Sequence, residues 1–364
     1  MSALQCDSSQ HNLTDKLLSH HIQPAQQSIL PPFSGILRKD ERLKLSKESF
    51  KESIENFFKN KDINPIDQLN TTPGFPTPYV LAQFASKAYE DYKRRETDAD
   101  YEKRLILPDG WKLLTTASNT KMNNGYFGAA YWHPEYQQVV IAHRGTKLNS
   151  FGALWTDFKG VRFHHYVKQM DSATTFASKV VEVLQEVNRE KGVHFQVFFT
   201  GHSLGGWLAQ ITTYTTEYLK RGEDNNFLKN DDTPQYHHPH TVVFESPGCK
   251  AMLSEMIDTF DVRQNDGESV LQHLDITSYL SAPNRINTCN SHVGKVYRIF
   301  IDSTDMGCWA KHTALYNAAT HSMDKILKVF DPKTGQVVKD EKGQLRILEV
   351  IDWPVSGRLF RRRE

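Results

Sequence analysis

The run from Val197 to Ala209 constrains the fold of this chain more than any other segment. It reads as an apolar strand, a turn in which glycines flank Ser203, and the start of a helix. This is the context of a G-x-S-x-G nucleophile elbow, whose glycines allow a sharp bend that lifts the serine hydroxyl clear of the strand. The helix then aims its first N–H groups at negative charge forming nearby. We predict that Ser203 is a catalytic nucleophile, the alternative being an ordinary glycine-rich turn.

Composition narrows the class of protein. The 364 residues suffice for one large α/β domain with appendages or for two small domains. A net charge of +1 gives no electrostatic case for a nucleic-acid partner. The N-terminus is polar and has no signal-peptide core, and no apolar run approaches the roughly 18 residues of a membrane helix. The four cysteines, at positions 6, 249, 289 and 308, have no metal-binding spacing. We therefore expect a cytoplasmic protein.

Four regions follow from the changes in composition. Residues 1–35 lack apolar periodicity and are predicted to be disordered. Residues 36–76 are predicted to form a charged helical extension and a loop. The main domain is expected over 77–330, beginning at Thr77, an N-cap residue followed by proline. Residues 331–364 are predicted to form a hairpin-like segment and a basic tail.

Strand and helix patterns alternate through the main domain. Helices are expected from Thr77, from Asp171–Ser172, from Ser203 to about Lys220, and once more before residue 276. Strands are expected at 111–116, 126–132, 139–143, 197–200, 241–245, 276–282 and 295–301. This alternation predicts an α/β fold with a mostly parallel sheet covered by helices on both faces.

Two motifs together carry a family resemblance. Ala142-His143-Arg144-Gly145-Thr146 ends one strand, and Gly201-His202-Ser203-Leu204-Gly205-Gly206 ends a later one. Over roughly residues 78–330 the chain resembles the class 3 lipases, the fungal-lipase-like branch of the α/β-hydrolases. The resemblance implies an oxyanion hole formed by Thr146 and Leu204, in which each fixed donor contributes about 3–4 kcal/mol to lowering the barrier. A strand-end turn is the alternative reading of Thr146.

The general base is expected to be a histidine late in the chain, because α/β-hydrolases run in the order serine, acid, histidine. The candidates are His292, His312 and His321. His321 fits the family context best, since it directly precedes a helical pattern. His292 precedes a strand, and His312 is alternatively a lid or core residue.

The third catalytic position departs from the family pattern. The resemblance implies an aspartate after the second strand beyond the nucleophile, where this chain has Asn284. An asparagine can hold a histidine tautomer but cannot stabilise imidazolium by charge. Three alternatives stay open: Asn284 itself, which we favour slightly; an acid supplied by Asp302 or Asp305; and a weakened enzyme.

Residues 147–156 occupy the position of the mobile lid in class 3 lipases. Leu148, Phe151, Leu154 and Trp155 would suit a cover over an acyl pocket, and a core-packed connection is the alternative.

The sequence as a whole predicts a lipase-like serine carboxylester hydrolase that acts through an acyl-enzyme on a lipid or small-molecule ester. It needs no metal or organic cofactor. The terminal arginines at 361–363 leave open a transient contact with a membrane or lipid-droplet surface. The alternative function is a catalytically weak or inactive member of the fold that binds lipid or a partner.

Overall fold

An eight-stranded sheet lies at the centre of the computed structural model. The structure describes residues 76–89, 106–118, 125–145, 163–221, 227–229, 239–259, 267–284, 286–301, 321–339 and 347–349. The strands are β1 (Lys112–Ser118), β2 (Phe127–His133), β3 (Gln138–His143), β4 (Gln196–His202), β5 (Leu219–Arg221), β6 (Phe227–Lys229), β7 (His240–Phe244), β8 (Ile276–Leu280), β9 (Lys295–Ile299) and β10 (Ile347–Glu349). The sheet order is β1-β2-β3-β4-β7-β8-β9-β10, and β5 pairs with β6 separately.

The middle of the sheet is parallel. Strands β3, β4, β7, β8 and β9 pair in parallel, whereas β1 and β2 at one end and β10 at the other pair antiparallel. Parallel strands have their carboxyl ends at one edge of a sheet, which is where α/β proteins bind ligands. This topology brings residues 143, 202, 244 and 280 to the same edge.

Helices cover both faces of the sheet. They are α1 (Pro78–Lys87), α2 (Phe163–Lys191), α3 (Leu204–Tyr218), α4 (Lys250–Thr259), α5 (Gly267–His273) and α6 (Met323–Leu327). One core contains side chains of α2, α3, α4 and α5, and the other contains side chains of α1 and α6. Successive strand residues alternate between them: Phe198 belongs to the second core and Phe199 to the first. The predicted fold class is confirmed.

Most of the predicted elements within these ranges are present. Helix α1 begins as expected, since Thr77 Oγ1 accepts a hydrogen bond from the backbone N–H of Val80 at 3.3 Å. Helix α2 corrects the prediction, because it begins at Phe163 rather than near Asp171–Ser172. The predicted cap residue Asp171 lies inside the helix, where its carbonyl accepts a hydrogen bond from the Thr174 hydroxyl. The sequence did not predict the β5–β6 pair or the place of β10 at the sheet edge.

Within the described ranges, every helix is too short or too polar to cross a lipid bilayer. The predicted disordered region, 1–35, and almost all of the predicted helical extension, 36–76, lie outside those ranges. Residue 76 is the first that the structure describes.

Candidate active site

Ser203 occupies a sharp turn between β4 and α3. Its φ of 58° and ψ of −129° lie in a region that residues with a side chain rarely adopt. Such a conformation costs about 1–3 kcal/mol and persists where the surrounding structure enforces it. The Ser203 N–H donates to the carbonyl of Phe244 at 3.0 Å, and the Ser203 carbonyl accepts from Gly206 N–H at 3.0 Å. The turn is therefore held from the neighbouring strand and from the helix that follows.

The end of β3 packs directly against this turn. A Cβ atom on Gly205 would lie 2.0 Å from the carbonyl oxygen of His143, and one on Gly145 would lie 2.5 Å from the carbonyl oxygen of His202 and 3.2 Å from Ser203 Cβ. Only glycine permits both approaches. They bring the start of the Arg-Gly-Thr motif alongside Ser203, whereas Thr146 lies outside the described residues.

Leu204 is the first residue of α3, and its side chain is buried. The first four N–H groups of any α-helix have no acceptor within the helix, and they carry the positive end of its dipole. The Leu204 N–H is one of these four and belongs to the residue directly after Ser203.

His321 lies beside the elbow. It is 1% exposed and directly precedes Ser322, the N-cap residue of α6. The Nε2 of His202 donates to the carbonyl oxygen of His321 at 2.8 Å, and the two imidazole rings are 4.4 Å apart. The structure thus brings the favoured histidine against the residue that precedes Ser203. Of the other candidates, His312 lies outside the described residues, and His292 places its Nε2 3.0 Å from the carbonyl of Asn287.

His202 is held from both sides of its ring. Because Nε2 faces a carbonyl, which only accepts, Nδ1 is the accepting nitrogen, and the Tyr89 hydroxyl donates to it at 2.8 Å. A Cβ atom on Gly145 would lie 2.3 Å from the same hydroxyl oxygen, so the end of β3 packs against Tyr89. Burial is the main cause that lowers the pKa of His202 well below its usual value, so the ring is neutral.

A carboxylate that the sequence analysis did not single out faces His321. Glu245 directly follows β7 and has a positive φ of 48°. Its Oε2 lies 3.4 Å from His321 Nδ1, and both side chains are buried. The available signal was an acidic residue at the carboxyl end of the strand next to β4, the edge at which α/β sheets hold their functional groups.

Hydrogen-bond donors surround the Glu245 carboxylate. The Nδ2 of Asn284 donates to Oε2 at 2.8 Å, the Nδ2 of Asn287 donates to the same oxygen at 3.2 Å, and the backbone N–H of Ser281 donates to Oε1. Burial alone would raise the pKa of Glu245. His321, the Ser281 N–H and Asn284 outweigh it, so the pKa of Glu245 lies below its usual value and the side chain is a carboxylate.

Asn284 is thus placed next to Glu245. Its Oδ1 accepts from the N–H groups of Ile286 at 2.9 Å and Asn287 at 3.0 Å, which fills both lone pairs of that oxygen. The other candidates for the third position, Asp302 and Asp305, lie outside the described residues, as do Leu148, Phe151, Leu154 and Trp155 of the predicted lid.

A strained serine, a helix N-terminus and a buried histidine–carboxylate pair lie at the carboxyl edge of a mostly parallel sheet, as expected for an α/β-hydrolase-type fold. The family model described as Lipase (class 3) matches residues 137–233. The matched segment contains the Arg-Gly-Thr motif and the elbow. This match confirms the resemblance: residues 137–233 are similar to the class 3 lipases. The match supports the prediction of a lipase-like hydrolase.

The sequence is similar to that of an uncharacterized protein of Rickettsia prowazekii (strain Madrid E). The two are 25% identical over 234 residues, which cover 61% of this chain and 57% of that protein. The chain therefore spans little more than half of that relative's length.

Among solved structures, a lipase from Rhizopus microsporus var. chinensis is similar at 17% identity and a TM-score of 0.41, covering 61% of this chain and 73% of its own. Lipase II from Rhizopus niveus is similar at 16% identity and a TM-score of 0.39, and the match covers 61% of this chain and 80% of that lipase.

Proposed function

We propose that this protein is a serine carboxylester hydrolase of the lipase type, acting on lipid or related esters through an acyl-enzyme on Ser203. The observation that carries the proposal is the strained Ser203 turn, with His321 bound to its neighbour His202. The class 3 lipase match over the same segment adds independent support.

The chemistry follows from the proposed roles. The Ser203 oxygen attacks the ester carbonyl while His321 Nε2, the nitrogen opposite the one facing Glu245, accepts the hydroxyl proton. The N–H of Leu204 and the Thr146 position stabilise the negative charge that develops on the carbonyl oxygen. The alcohol leaves with the proton from His321. Water then attacks the acyl-enzyme with His321 again as the base, which releases the acid and restores Ser203.

A fluorophosphonate probe tests the proposal without assuming a substrate, because it labels serines that an adjacent base activates. Wild-type protein should label and should hydrolyse p-nitrophenyl esters, whereas Ser203→Ala should do neither. The matched control is Ser254→Ala on the partly exposed face of α4, which should behave as wild type. A folded wild-type protein that does not label would overturn the proposal and favour the lipid-binding alternative. A panel of esters with increasing acyl length then defines the substrate class.

A further inference from the structure

We infer that Glu245, at the end of the strand adjacent to the nucleophile strand, is the acid that positions His321, and that Asn284 holds this acid in place. The inference rests on the proposed function, since it concerns how the same site positions its base. It moves the third catalytic role from the positions predicted from the sequence, 284, 302 and 305, to the end of a different strand.

The first argument is the direct contact. His321 Nδ1 faces Glu245 Oε2, and a carboxylate only accepts, so the proton on this side belongs to Nδ1. That arrangement leaves Nε2 free of a proton and able to act as a base. A negative charge at this position also stabilises the imidazolium that forms when His321 takes the serine proton.

The second argument is that the backbone joins Glu245 to the nucleophile. The carbonyl of Phe244, the residue before Glu245, accepts the hydrogen bond from Ser203 N–H. The N–H of Glu245 in turn donates to the carbonyl of Tyr279 on β8 at 2.9 Å. Ser203 and Glu245 thus end two adjacent parallel strands, each with the positive φ of a strained residue. Strain of this kind at a non-glycine residue is characteristic of functional sites.

The third argument is charge. A buried carboxylate is costly unless polar groups compensate it, and Glu245 is fully buried. Two amide side chains and one backbone N–H donate to it. The buried cation of Arg298, whose Nη1 donates to the carbonyl of Ser281 at 2.7 Å, interacts electrostatically with it as well. These groups keep Glu245 ionised and hold its carboxylate in one orientation.

The fourth argument concerns position 284. An aspartate there would place a second carboxylate 2.8 Å from Glu245, because that is the distance over which Asn284 Nδ2 now donates. Two carboxyl groups this close together in a buried site cannot both be ionised. The asparagine is therefore the residue that an acid at 245 requires at 284, which accounts for the departure from the family pattern.

The test compares the wild type with Glu245→Gln and with the exchanged pair Glu245→Gln/Asn284→Asp, using the full chain. Glutamine keeps the shape and removes the charge. The exchanged pair restores one carboxylate and one amide in the same pocket, but places the charge one group further from His321. It serves as the second variant if Glu245→Gln is unstable. Melting temperature, kcat, KM and the rate of fluorophosphonate labelling are measured for each protein.

We expect Glu245→Gln to lower kcat by up to about 10⁴-fold, as the corresponding change does in serine proteases, with KM changed only a few-fold. The exchanged pair should regain most of the melting temperature while kcat stays low. Asp302→Asn should keep kcat within a few-fold of wild type.

Wild-type kcat in Glu245→Gln, recovery of kcat in the exchanged pair, or loss of kcat in Asp302→Asn would each overturn the assignment of Glu245. In all three cases an active wild type and an inactive Ser203→Ala would leave the hydrolase proposal intact. A wild type that neither labels nor hydrolyses would overturn both.

Discussion

The Nε2 of His202 lies 2.8 Å from the carbonyl oxygen of His321, so the residue before the proposed nucleophile binds the backbone of the proposed base. The other ring nitrogen of His202 accepts from Tyr89, whose hydroxyl packs against Gly145. One neutral imidazole and this tyrosine therefore connect three segments that are far apart in sequence: the residues after α1, the end of β3 and the turn before α6.

The Tyr89 hydroxyl should matter for both stability and rate. Tyr89→Phe leaves Nδ1 of His202 without the donor that the Tyr89 hydroxyl provides. Leaving buried polar groups unsatisfied costs about 1–3 kcal/mol, and the turn beside Ser203 loses a constraint. We expect the free energy of unfolding in urea to fall by that amount and ester turnover to fall with it. Tyr79→Phe, in α1 and partly buried, is the control, and equal behaviour of the two variants would contradict the role of Tyr89.

Gly145 should be sensitive to a single added methyl group. The Cβ of Gly145→Ala would lie 2.3 Å from the Tyr89 oxygen and 2.5 Å from the His202 carbonyl oxygen, so the turn must move. Displacing an oxyanion-hole donor typically costs about 10²–10³-fold in kcat.

Gly192→Ala provides the control for Gly145→Ala. Position 192 has a φ of 65° and open space around its Cβ. That variant should lose about 1–2 kcal/mol of stability with kcat unchanged. A Gly145→Ala protein with wild-type kcat would be inconsistent with the proposed oxyanion role of this turn.

His143 should make stability depend on pH. It lies between the Tyr126 hydroxyl and Thr212 Oγ1, and burial lowers its pKa to about 3 from an ordinary 6.5. Between these two pH values the unfolded chain binds a proton that the folded protein does not, so stability is fully present above pH 6.5 and falls as the pH falls. The slope for one such group approaches about 1.4 kcal/mol per pH unit.

Urea unfolding at a series of pH values measures this contribution. His143→Gln should show a flatter dependence between pH 6.5 and 3 than the wild type. Parallel curves for wild type and His143→Gln would show that His143 does not cause the dependence.

Cys249 should not react in the folded protein, although it lies near the edge of the sheet that holds the site. It is 1% exposed, its Sγ donates to Gln210 Oε1 at 3.1 Å, and burial raises the pKa of the thiol. Because the thiolate is the reactive form, iodoacetamide should leave Cys249 unmodified until denaturant is added. Mass spectrometry of the peptide before and after denaturation checks this, and rapid modification of the native protein would contradict it.

Local patterns predicted most of the fold, because each depends on neighbouring residues. The cap at Thr77 and the glycines around Ser203 are of this kind. The start of α2 was misplaced because Asp171 and Ser172 have the side chains of a cap but lie inside a longer helix.

The proposed site was harder to predict from the sequence. The elbow and the histidine before α6 have recognisable local contexts, but the contact between Glu245 and His321 joins residues 76 positions apart. Asn284 directed attention to the end of β8, whereas Glu245, the carboxylate to which Asn284 donates, follows β7. The Glu245 carboxylate is recognised as a candidate only once the structure shows that β7 lies between β4 and β8.

The three-residue strand β10 pairs antiparallel with β9 and forms one outer border of the sheet. Ending a recombinant fragment at residue 330, where the lipase resemblance stops, would uncover the backbone N–H and C=O groups of β9. Bare strands of this kind recruit other copies of a chain and promote precipitation. Fragments intended for purification or crystallisation should therefore extend at least to Glu349.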